Sequence, residues 1–150
     1  LPLMFPDDPD VLKVQKAFFD PFEYLYLRHR EGEFDTNFRH ELGNVSYQVA
    51  CHQRVQNIGP RTRDILALVP GTEVNAIERC SGHDGTYAVR KETRQKSIKI
   101  ARPVVRQVNN GEPAHFSSDC PMAGMHVANL AESVHQVEHP MTLLRLAYGL

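Results

Sequence analysis

From Val45 onward the apolar residues alternate between two rhythms. VSYQVA (45 to 50) is a β-branched and aromatic run of strand type. PRTRDILALV (60 to 69) then spaces Ile65, Leu66 and Val69 as a helix does, between Pro60 at its start and Pro70-Gly71 at its end. TEVNAIER (72 to 79) reads as the next strand, residues 86 to 108 as a helix with Pro103 as a kink or break, and AHFSSD (114 to 119) as a short third strand. Two further helices, 122 to 135 and 140 to 148, complete the pattern, the second started by Pro140. The order βαβαβα predicts an α/β fold: a small parallel sheet covered by helices and joined by right-handed crossovers.

The first forty residues follow a different rule. Asp8-Pro9 pairs an N-cap residue with proline at the first helical position, and VLKVQKAFF continues with Val11, Val14, Phe18 and Phe19 at helical spacing. Asp20-Pro21 repeats the signal before FEYLYLRHRE, which should stop at Gly32. GEFDTNFRHELGN has no sustained period and reads as a connector. The expected organisation is a helical lead-in and connector over 1–44, then a cysteine-bearing α/β domain over 45–150. The opening LPLMFPDDP, with no initiator Met, reads as a piece of a longer parent protein.

Composition narrows the class. A chain of 150 residues that is 41% hydrophobic can bury one core. Its formal net charge of −1 gives no global reason to expect nucleic acid. Charge is locally uneven, however: residues 90 to 106 hold seven Lys or Arg against one Glu, either a solvated helix face or a docking surface for an acidic partner. No apolar stretch approaches the eighteen or so residues that span a bilayer. Three cysteines are an odd number in a chain too large to need disulfide staples, so a reduced, cytoplasmic compartment is expected, with metal binding or thiol chemistry as the live readings.

The cysteines stand at corresponding places. Cys51 follows the first predicted strand, Cys80 the second and Cys120 the third. Carboxyl ends of parallel strands share one edge of the sheet, the edge where such folds build their sites, so the three thiols are expected to converge. Thiolates at three corners suit zinc or an iron-sulfur cluster. His83, His52 and His126 are candidates for a further ligand, each with an ordinary polar histidine as the plainer reading. No C-x-x-C pair of a zinc finger is present, position 86 holds Thr where a cysteine phosphatase needs Arg, and Ser81, His83 and Asp84 crowd one loop too closely for a catalytic relay. Gly82 and Gly85 give only a weak anion-cradle signal.

The runs CHQRVQNIGPRTRDILALVPGTEVNAIERCSGHDGTYAVRKE, SSDCPMAGMH and HPMTLLRLAYGL resemble the carboxy-terminal half of the iron-sulfur C-subunit of anaerobic glycerol-3-phosphate dehydrogenases. More widely, they resemble the cysteine-rich CCG domain family that includes the B-subunit of heterodisulfide reductase. The resemblance runs from about Val45 to Leu150, and ERCSGHDGT is its most specific stretch. It implies one component of an oxidoreductase rather than a complete enzyme, relaying electrons from a flavoprotein dehydrogenase towards a quinone-type acceptor. It further implies amino-terminal ferredoxin-like modules in the parent chain, and peripheral membrane association through partners at the inner face. Of the family's ligand pattern of one Cys, a Cys-Cys-Gly and a C-x-x-C, three positions match: Cys51, Cys80 and Cys120. Ser81 and Ala123 occupy the other two. A three-cysteine cluster with an open or histidine-filled corner, a zinc ion, and an empty vestigial site in a docking module all stand open.

Overall fold

Both Asp-Pro pairs start helices. In the computed structural model, which describes residues 1–150, Asp8 caps α1 (Pro9–Lys16) by accepting hydrogen bonds from the N–H groups of Asp10 and Val11. Asp20 caps α2 (Pro21–Arg30) with a full capping box, its carboxylate taking the Phe22 N–H at 2.9 Å while Glu23 reaches back to the Asp20 N–H at 3.3 Å. These helices belong to one compact unit, Leu1–Phe34; the rest of the chain, Asp35–Leu150, is a second.

The second unit is mixed α/β, built on a three-stranded, fully parallel sheet. Its elements are β1 (Gly43–Gln48), α3 (Cys51–Val55), α4 (Arg61–Leu66), β2 (Thr72–Ile77), α5 (Arg94–Gly111), β3 (His115–Ser118), α6 (Pro121–Ala128) and α7 (Pro140–Tyr148). The strand order is β2-β1-β3, with Val45 opposite both Val74 and His115. The chain therefore steps from β1 to one side and then crosses to the other. Right-handed crossovers in opposite directions place α4 and α5 on opposite faces of the sheet. The packing agrees: α5 and α6 bury Ala101, Val104, Val108 and Val127 with Ile77 and Phe116, whereas α4 packs with α7. Central β1 is the most deeply covered strand, fully buried from Val45 through Gln48 except at its first two residues, Gly43 and Asn44.

Three departures from the sequence pattern have physical causes. A one-and-a-half-turn helix, α3, begins directly at Cys51 and ends where Asn57 (φ 54°) and Gly59 (φ 79°) turn left-handed. Residues 86–93 form turns instead of the start of a long helix, because the Thr93 hydroxyl donates to the Tyr87 carbonyl at 2.6 Å; regular helix begins at Arg94 and runs through Pro103 to Gly111. α6 stops at Ala128 rather than near 135. The Asn109 side-chain carbonyl captures the N–H groups of Glu132 and Ser133, drawing the chain off the helix axis. That segment then runs beside β3, where Glu138 N–H donates to Phe116 O at 2.8 Å, so the open edge of β3 is partly covered.

Candidate functional site

In a parallel sheet of order β2-β1-β3, the crevice between the carboxyl ends of β1 and β3 is the topological switch point. Cys51 follows β1 by three residues, Cys120 follows β3 by two and forms the N-cap position of α6, and Cys80 follows β2 by three. All three line one cavity of about 590 Å³, together with His52, Gly82, His83, Asp84, Gly85, Tyr87, Ile100 and Ala123. Cys51 and Cys80 are exposed, Cys120 is half-buried, and none is disulfide-bonded.

Buried Gln48, the last residue of the central strand, ties the three cysteine segments together. Its side-chain nitrogen donates to Val49 O at 2.7 Å, leading into Cys51, and to Arg79 O at 3.2 Å, the residue before Cys80. Its side-chain oxygen accepts from Ser118 Oγ at 2.8 Å, and Ser118 Oγ in turn accepts the Cys120 N–H at 3.2 Å. One carboxamide thus spans the ends of all three strands.

A second buried network reinforces the Cys51–Cys120 side. Tyr47 Oη lies 2.6 Å from Gln53 Oε1 and in closer contact with Asp119 Oδ2. Thr62 Oγ1 donates to the same carboxylate at 3.1 Å and accepts from Gln53 Nε2 at 3.2 Å. The phenol has one proton and two acceptors, and the charged one binds it more strongly. Burial first, then the Asp119 charge and hydrogen bond, push the Tyr47 pKa well above the ordinary phenol value of 10.0.

The Cys80 turn is held from the other side. Gly82 adopts φ +74°, and a Cβ there would collide with the Ser97 carbonyl of α5, so only glycine allows this approach. Ser97 Oγ donates to Gly82 O at 2.6 Å, which leaves it to accept from His126 Nε2 at 2.9 Å. His126 therefore faces Ser97 and is absent from the cavity wall, unlike His52 and His83. Burial, then the positive charges of His83 and Arg94, hold the His126 pKa below the usual 6.5.

Each exposed thiol also has a donor: the Gly82 N–H reaches Cys80 Sγ at 3.4 Å, and Arg54 Nη2 reaches Cys51 Sγ at 3.7 Å. Ser81, where the resemblance expects a thiol, is buried, with its hydroxyl accepting the His83 N–H at 3.3 Å. Ala123 puts a methyl group in the wall.

No three His, Cys, Asp or Glu side chains come together as a ligand set for one metal ion. The predicted combination of three cysteines with His83, His52 or His126 is thus not preformed; His126 is engaged by Ser97 and the two exposed thiols are turned to their own donors. Zinc needs four ligands within about 2.0–2.3 Å of a single centre, an arrangement this wall does not offer. A multi-iron cluster is larger and takes one thiolate at each of several irons. The three thiols line one cavity of about 590 Å³ without meeting as a ligand set.

Fold and wall together define a class: a small parallel α/β unit with a thiol-lined cavity at its switch point. Within that class the chain is similar to the C-subunit of anaerobic glycerol-3-phosphate dehydrogenase from Escherichia coli strain K12, with 30% identity over 104 residues, 69% of the chain. The corresponding protein of E. coli O157:H7 matches to the same degree. The match covers 26% of each relative, so the chain spans about a quarter of the length of the curated relatives it matches. No protein-family model matches the chain, and no solved structure matches it.

Sequence reasoning selected the cysteines and missed the residues that space them. Gln48, Tyr47, Ser118 and Asp119 lie within the runs VSYQVA and HFSSDC, and their polarity inside strand-type segments was the available signal.

Proposed function

We propose that this chain is part of an iron-sulfur oxidoreductase subunit, in which Cys51, Cys80 and Cys120 hold a cluster. The observation that carries the reading is the meeting of three strand-end thiols around one cavity. Similarity to one component of a dehydrogenase supports it. Bound there, the cluster would supply reversible one-electron transfer. The chain's own residues do the rest: the three thiolates anchor, the Gly82 N–H and the Arg54 guanidinium stabilise sulfur charge, and His52 and His83 set the polarity of the wall. The electron donor is a flavoprotein dehydrogenase, passing electrons through ferredoxin-like modules of the parent chain towards a quinone-type acceptor. The complex sits in the cytoplasm at the inner face of the membrane, held there by its partners.

The test is reconstitution of the chain with iron and sulfide under strict exclusion of oxygen, followed by electron paramagnetic resonance of the reduced protein. A cluster signal that each single Cys→Ser substitution alters or abolishes is expected; a signal indifferent to all three substitutions would sink the assignment. A docking module whose thiols hold nothing is the second reading, favoured by Ser81 and Ala123 and by the lack of a preformed ion site. It predicts no signal at all.

A further inference from the structure

We propose that the solvent face of α5, together with the adjoining mouth of the thiol cavity, is a docking surface for an acidic patch on a partner protein. The proposal stands whether or not the cavity holds a cluster.

The helix is two-sided. Ser97, Ala101, Val104 and Val108 are buried; at 100° per residue Lys99, Arg102 and Arg106 fall on the opposite face, with Lys96 at its margin, and all four are exposed. No carboxylate lies within salt-bridge distance of these four, whereas basic residues elsewhere do pair, Arg28 with Glu31 and Glu33 and Arg63 with Asp64. Residues 90 to 106 carry a net +6 and the remainder of the chain −7, so the stripe is a local positive field on an otherwise acidic molecule. Fields of this kind act mainly through association rate and orientation of a complementary surface.

The stripe adjoins the cavity. Ile100, on the flank of α5 between the basic and buried faces, lines the cavity and is 43% exposed. Met122, between the cavity residues Cys120 and Ala123 on α6, is 53% exposed, and Val89, two residues from cavity-lining Tyr87, is 66% exposed. Exposed apolar side chains in the segments that build a cavity, with a charged row alongside, match the apolar centre and polar rim of a transient protein interface.

Two other anionic surfaces fit less well. The apolar face of α5 is spent on the core, and the exposed Ile100, Met122 and Val89 sit on three separate segments, not on one continuous helix face that could lie among lipid chains. An extended polyanion such as duplex DNA would overrun a stripe of about 15 Å.

The experiment titrates the isotope-labelled chain with a short oligoglutamate peptide, phosphatidylglycerol vesicles and duplex DNA in parallel, reading amide shifts. The peptide is expected to move α5 resonances around Lys96 to Arg106 together with Ile100 and the Cys80–Gly85 turn, and to weaken as salt rises. Lys99→Glu/Arg102→Glu/Arg106→Glu should lower peptide affinity about tenfold or more with an unchanged circular-dichroism spectrum. The titration uses the iron-free chain, so its outcome is read separately from the cluster assignment. The proposal is overturned if the peptide fails to bind, if charge reversal leaves its affinity unchanged, or if vesicles or DNA bind the same face more tightly.

Discussion

Gln48 makes hydrogen bonds to all three thiol segments from a fully buried position. Replacing it with leucine keeps the bulk but leaves Arg79 O, Val49 O and Ser118 Oγ short of partners inside the protein. A loss of about 2–4 kcal/mol in urea unfolding is expected. Gln48→Leu should also change the alkylation rates of Cys51, Cys80 and Cys120, and destabilisation without any such change would sink the positioning role. Tyr47 carries a pH signature. Its proton is held more tightly in the folded state than in the unfolded one, so its contribution to stability is full below pH 10 and is lost as pH rises beyond it. Tyr47→Phe should flatten that alkaline decline in a stability-versus-pH series. His126 works in the opposite sense: its depressed pKa means stability present above pH 6.5 and lost as pH falls from there through the folded-state value. In His126→Gln, stability measured at mildly acidic pH should fall less steeply.

At the scale of elements, α5 joins the core, the Cys80 turn and the basic face. Pro103 lies inside it, exposed, and removes one intrahelical N–H at the Lys99 carbonyl. Pro103→Ala should raise stability by about 1–3 kcal/mol in denaturant unfolding; a null result would mean that neighbouring packing depends on the proline bend. The three strands, and with them the places of the cysteines, are legible in the sequence because short β-branched or aromatic runs opened by Gly or Pro mark strands. The start of α5 is not, because one hydroxyl, that of Thr93, decides it through a contact with the Tyr87 carbonyl. Nor is the end of α6, set by Asn109 through the N–H of Glu132, 23 residues on in sequence. The strand order is equally hidden. Alternation of strand and helix predicts parallel pairing, but only the pairing of β1 with both β2 and β3 reveals that β1 is central. The carboxamide of Gln48 acquires its role from that central place, so its importance could not be read from VSYQVA alone.

For the molecule as a whole, two features adjoin: three free thiols around a cavity and an unpaired basic row on α5 that starts beside it. Similarity to a dehydrogenase component covers 69% of the chain and 26% of the relative. The most direct test of the account is iron and acid-labile sulfide content of the chain purified entirely without oxygen, beside its Cys51→Ser/Cys80→Ser/Cys120→Ser variant. The account predicts iron and sulfide in matching amounts, with visible charge-transfer absorbance, in the parent chain and neither in the variant, both folded by circular dichroism. Colourless, iron-free protein from that preparation would contradict it.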